Sequence, residues 1–219
     1  MNVVMHSKII KSSSKKKIKD SVPFMNDSYD FSTVATNGEI VYNEREITIT
    51  LGLPANSKEG LQTLYSIIIE WLVDVGRCNL VFDDRPDYYY LAEVENSTTL
   101  DQVMEFGKLT VTFVAYPFIT SVDYAGSEKW DTFNFELEYM QDVEFDIVGS
   151  RTVSIYNSGR SICPLVNCSA NMTISNNGYS SNLVVGDNKD WEFKLQKGIN
   201  NILITGAGHI KFIFKKERL

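Results

Sequence analysis

The sequence predicts a mainly β protein carrying a single long α-helix. Three observations predict it. Apolar residues recur at offsets of three and four only in residues 56–76, NSKEGLQTLYSIIIEWLVDVG. Nearly every other periodic segment alternates with period two. Turn signals built from Gly, Asn and Asp punctuate the second half at short intervals, as in antiparallel sandwiches. A length of 219 residues with 43% hydrophobic content fits one large β domain or two small ones. Periodicity is weakest over residues 119–131, which places an N-terminal domain at 1–125 and a second at 126–219.

Residues 1–27 are polar and lysine-rich. Six of the 21 basic residues lie in residues 1–19, which hold no acid. This predicts a solvated or partner-bound arm, in which Ile9-Ile10 and Ile18 each suffice to seed only a short strand. In residues 45–51, Ile47, Ile49 and Leu51 alternate with Glu46, Thr48 and Thr50. This is a half-buried strand that Gly52 and Pro54 are expected to stop.

The helix follows. Leu61, Leu64, Tyr65, Ile68, Trp71, Leu72 and Val75 share one face, and Ile67 and Ile69 widen it. Asn56 with Glu59 reads as the N-cap and Gly76 as the left-handed closing residue. Residues 80–96 form a hairpin turning at 83–87, with Tyr88, Tyr90, Ala92 and Val94 on one face. In KLTVTFVAYPF, Leu109, Val111, Phe113 and Ala115 point inward, and Pro117 marks the strand's end or an edge.

Short strands are then expected at 133–139, 143–148, 153–156, 165–166, 171–175, 182–185, 191–195, 201–205 and 210–215. Gly149-Ser150, Asn176-Asn177-Gly178, Gly186-Asp187-Asn188, Lys197-Gly198 and Gly206-Ala207-Gly208 are the expected turns between them.

The charge excludes one broad class. Outside the first 19 residues, 15 basic groups face 28 acidic ones, a net of −13. Gripping phosphates needs clustered Lys and Arg, so specific nucleic-acid binding is not expected. No stretch reaches the roughly 18–20 apolar residues of a membrane helix, so no membrane partner is expected. No secretory signal is apparent. Cys78, Cys163 and Cys168 are expected to be reduced thiols.

No pattern carries catalytic or metal chemistry. His6 and His209 lie in different segments, and Cys163 and Cys168 straddle a proline at a spacing that no zinc knuckle uses. Ser161 and Cys163 have no histidine partner in pattern. Gly206-Ala207-Gly208 precedes no helix, so it is not a phosphate loop. Asp83, Asp84 and Asp87 lack the order of a calcium loop. Glu44/Glu46 and Glu93/Glu95 mark solvent faces. Trp130 and Trp191 suit a sugar-binding platform, although core packing is the commoner role of a strand tryptophan. The expectation is therefore no enzyme, with no catalytic, metal or cofactor-binding residues and no cofactor.

Three segments together resemble a known family. YDFSTVATNGEIVYNEREITITLGL, the helix, and NLVFDDRPDYYYLAEVEN are similar to the N-terminal domain of distal tail proteins (Dit) of long-tailed phages and prophages. The carrying pieces are residues 45–51, 56–76 and 83–92. VSIYNSGRSICPLVNCSANMTIS and the ending IKFIFKKERL resemble the same family's C-terminal part. The resemblance spans about residues 28–219.

The resemblance implies an N-terminal β-barrel-like domain with its helix, followed by a C-terminal galectin-like antiparallel β-sandwich. It also implies a homohexameric ring, closed by the N-terminal domains, at the virion tail tip. Such a ring adapts the tail tube protein to the tail hub or tail-associated lysin, with tape measure and receptor-binding proteins as further partners. It is assembled in the bacterial host cytoplasm. The galectin sugar-binding pattern is not apparent. An acidic body suits a DNA conduit, because it repels phosphates. On this reading one helix face packs on its own barrel and the flank with Ile67 or Ile69 lies near a subunit boundary. Two other readings stand beside it: a non-catalytic carbohydrate-binding module attaching to a cell surface, and a small hydrolase with an unrecognised site.

Overall fold

The computed structural model describes residues 3–21, 23–24, 26–34, 38–94, 99–103, 106–127 and 140–219. The chain is mainly β, with one α-helix among the described residues. It forms two compact units, neither of them a single stretch: Met1–Leu80 with Tyr90–Phe118 and Leu219, and Val81–Tyr89 with Ile119–Arg218.

The first unit is built on a barrel-like antiparallel sheet. Its strands β1 (Val4–Ile10), β4 (Arg45–Pro54), β5 (Cys78–Phe82), β6 (Arg85–Val94) and β8 (Phe106–Ser121) lie in the order β1-β4-β8-β6-β5. Strand β7 (Thr99–Val103) also pairs with β8. A short ribbon of β2 (Lys19–Ser21) and β3 (Ser28–Asp30) stands apart. The lysine-rich start is thus not a free arm. β1 pairs with β4 from Val4↔Gly52 to Ile10↔Ile47, and Lys15 bridges Tyr42. Backbone pairing outweighs the composition of this segment.

β4 also runs through Gly52 to Pro54, past its expected stop. A bulge between Met5 and Ser7 turns His6 against Gly52. Any Cβ on Gly52 would lie 2.3 Å from the imidazole Nε2, so the glycine makes room for the bulge.

Helix α1 (Lys58–Asp74) is capped by Ser57, whose Oγ accepts from the Gly60 N–H at 3.0 Å, so Asn56 is not the cap. Gly76 has the expected left-handed φ of +61°. Leu61 and Ile68 are buried against Leu53, Leu109 and Val111, with Leu64, Tyr65, Ile69 and Leu72 partly covered. Trp71 and Val75 depart from the expected stripe and remain exposed.

The hairpin turns at Asp83-Asp84, and Pro86 lies inside β6. Tyr88, Tyr90 and Ala92 are buried as their alternation predicts. Pro117 neither ends β8 nor sits exposed. Its carbonyl accepts from the buried Arg45 guanidinium, at 3.0 Å from Nε and 2.6 Å from Nη2.

The second unit wraps one antiparallel sheet around a core that includes Ile147, Ile155, Ile174, Ile204, Phe193 and Phe212. Its strands are β9 (Glu144–Asn157), β10 (Leu165–Cys168), β11 (Met172–Asn176), β12 (Tyr179–Leu183), β13 (Gly186–Lys189) and β14 (Gly198–Ile213). β15 (Glu217–Arg218) pairs with Thr120 and Ile119 at the end of β8.

Two expected turns are instead bends within long strands. β9 passes through Gly149-Ser150 and β14 through Gly206-Ala207-Gly208, and the two pair over the whole of β9, from Gly198↔Asn157 to Lys211↔Glu144. On its other edge β14 pairs first with β11, around Ile204, and then with β10, around Phe212. Gly206 and Gly208 hold φ near +147° and +148°, a backbone that side-chain-bearing residues avoid. The bend turns the strand without breaking its ladder.

Gly186-Asp187-Asn188, expected as a turn, lies within β13. Residues 191–195 form no strand and contribute only the bridge Ile162↔Leu195. Asn177-Gly178 makes the expected two-residue turn, with positive φ at both. The expected strand at 133–139 and Trp130 lie outside the described residues.

Candidate functional site

Catalytic chemistry finds no constellation among the described residues. No group of three or more His, Cys, Asp or Glu side chains is placed to hold a metal ion. His6 is absorbed in the β1 bulge. His209 on β14 lies 3.0 Å from Asp146 and 3.6 Å from Glu144 across the β9 ladder, and Lys211 pairs with the same Glu144. Lys211, and then His209, hold the Glu144 carboxyl below its usual range. This is a surface ion network of the kind that pairs strands.

None of the three cysteines is in a disulfide, and Cys78 is exposed on β5. Cys168 is buried, donates to the Val184 carbonyl at 2.9 Å, and has its thiol pushed up by burial. Cys163 donates to the Trp191 carbonyl at 3.2 Å. Asp83 and Asp84 form the hairpin turn, and Glu44 and Glu93 flank Arg77 at 3.8 and 4.0 Å.

What the first unit does present is apolar surface beside unpaired strand edges. On α1, Ile67, Trp71 and Val73 are exposed, Trp71 at 64%, as is Val75 at its C-cap. Below Trp71 and Val75 a groove of about 260 Å³ opens between the helix and the sheet, floored by Leu72, Leu80, Val94 and Phe113. Among the described residues the sheet ends at β1 and β5, each with a partner on one side only. β1 also exposes Val4, Met5 and Ile9. An edge strand offers a row of free N–H and C=O groups, and next to apolar side chains it forms a surface suited to another protein. The sequence foresaw surplus apolar area on the helix, and Ile67 carries it. Helical periodicity places Trp71 on the packed face. Its exposure follows from its position in the last turn and a half, where the helix runs out over the groove.

Among the described residues, the second unit holds the other exposed tryptophan. Trp191 is 69% exposed, against the expectation of a core role. The surrounding NKDWE run, four polar residues in five, was the available signal.

A family model described as the phage tail protein RIFT-related domain matches residues 6–115. The chain belongs to this phage tail protein family. The match takes in β1, β4, α1, the hairpin and most of β8, and so covers most of the first unit. No curated protein matches the sequence. Over the whole length, this phage tail protein is similar in fold to SPP1 Dit (gp 19.1), described as a paradigm of the hub adsorption apparatus in phages infecting Gram-positive bacteria. The TM-score is 0.68 at 13% identity, over 99% of this chain and 94% of that one. The distal-tail fold therefore extends beyond the family domain into the second unit.

Proposed function

We propose that this phage tail protein is a distal tail adaptor. Copies close head to tail into a ring, most simply a hexamer, between the tail tube and the tail hub. Its neighbours are the tail tube protein on one side and the hub or tail-associated lysin on the other. Tape measure and receptor-binding proteins lie within reach of the assembly, which is built in the host cytoplasm. The role is structural, without catalysis. Residues 1–125 act as the ring-forming domain and 126–219 as the outward one.

The observation that carries this reading is the near-complete coverage of both chains in the match to SPP1 Dit. The exposed side of α1 and the edges β1 and β5 supply what a cyclic, heterologous interface needs: two different surfaces on one protomer. Light scattering across a concentration series tests it. A ring-sized species that grows in with concentration is the expected result. A monomer at every concentration, including in the presence of the tail tube and hub proteins, overturns it.

A further inference from the structure

The second unit contains a concave polar site that the adaptor role does not use. It is a hollow of about 660 Å³ between β12, β13 and the segment that follows, with Trp191 on its rim. One face of the indole carries the Lys189 ammonium at 4.4 Å from the ring centroid, while most of the remaining ring surface is open. The indole N–H has no hydrogen-bond partner among the described residues.

The polar wall is fixed in place. Asp190 accepts from Tyr179 at 2.8 Å, from Ser181 at 2.6 Å and from the Glu192 N–H at 3.0 Å. Asn167 holds Asp187 at 2.6 Å. Asn188 binds the Val184 and Gly186 carbonyls and caps the Val184 N–H, which locks the connection from β12 to β13. The Cys163 thiol anchors the Trp191 carbonyl from behind. A wall that needs no ordering on binding keeps its interaction energy for the ligand.

The geometry points to a saccharide-binding site, in which a neutral hexose unit lays its apolar C–H face on Trp191 and offers its hydroxyls to Asp187 and Glu192, while Asp190 holds the wall that carries them. Hexoses combine one apolar face with a rim of donors, and an open indole beside fixed carboxylates matches both. The hollow carries one ammonium against three carboxylates, so its field opposes anionic polymers. The site lies wholly within the second unit, and its test does not depend on assembly.

The intact chain is titrated with oligosaccharides of glucose, galactose and N-acetylglucosamine, and with poly(glycerol phosphate). Calorimetry gives the affinity and amide chemical-shift mapping the location. The expected result is saturable binding of at least one neutral sugar, shifts centred on residues 181–192, and no binding of the phosphate polymer. Trp191→Ala weakens binding about tenfold or more and Trp191→Phe keeps most of it, because the phenyl ring preserves a stacking surface. Trp191 is exposed, so neither change threatens the fold, and far-UV circular dichroism checks this. The proposal is overturned if no neutral sugar binds, if Trp191→Ala binds like the parent, or if the phosphate polymer binds in preference.

Discussion

Arg45 shows how much one side chain decides. It is 93% buried, and its guanidinium binds the Pro117 carbonyl twice and Ser13 Oγ once, over the Tyr90 ring at 5.5 Å. These contacts tie the start of β4 to β8 and to the lysine-rich segment. Arg45→Ala leaves a buried carbonyl without this donor, and urea denaturation is expected to show a loss of about 2–3 kcal/mol. Arg45→Lys recovers only part, because an ammonium lacks the planar fork. A second residue-scale prediction concerns acid. The Asp190 carboxyl is held below its usual range, first by the Ser181 hydroxyl and then by backbone N–H groups and Tyr179. A depressed folded pKa gives stability that is complete above the unfolded carboxylate value of about 3.9 and lost as pH falls through the folded one. Thermal unfolding followed from about pH 5 downward is therefore expected to fall less steeply in Asp190→Asn than in the parent.

At the scale of elements, the helix rests on one close approach. A Cβ on Gly107 would lie 2.6 Å from Leu61 Cδ1, and Leu61 is fully buried. Gly107→Ala is expected to push α1 off β8 and cost about 1–3 kcal/mol, read as a lowered denaturant midpoint at unchanged slope. Much at this scale was legible beforehand. The helix, its glycine closure, the β6 and β8 alternations and the Asn177-Gly178 turn follow from local periodicity and local backbone preference. What was not legible has one physical origin. Gly149, Gly206, Gly208 and Pro117 act locally as breakers, yet long-range pairing carries the strands through them. Conversely, Trp191 reads as a strand residue because its neighbours are apolar at alternate positions, while Asp190 and its three hydrogen bonds hold the segment as a loop. The polar hollow was invisible for a related reason, since it joins β12, β13 and residues 190–192 only after folding.

For the whole molecule, surface character matters more than any single site. An exposed tryptophan, isoleucine and two valines on one helix are costly in water unless covered, since burying a large apolar side chain is worth about 1.5–3 kcal/mol. If this helix side closes the proposed ring, Trp71→Glu is expected to shift the light-scattering species to monomer while leaving the circular dichroism spectrum unchanged. A variant that still forms the ring moves the interface to the strand edges. If the proposed ring encloses a conduit, its acidic body is expected to let phosphate-rich cargo pass without adhering.

The bent strand β14 has a consequence for how the second unit comes apart. Because β14 pairs with β9 from Gly198 to Lys211 and with both β10 and β11, neither end can be released without loosening its neighbours. Partial melting would strand buried N–H and C=O groups along an opened ladder. The sheet therefore opens as one cooperative block, so that slow amide exchange is shared by β9, β10, β11 and β14 alike. For a particle that must survive outside a cell, such all-or-none opening limits the partly unfolded forms a protease can cut.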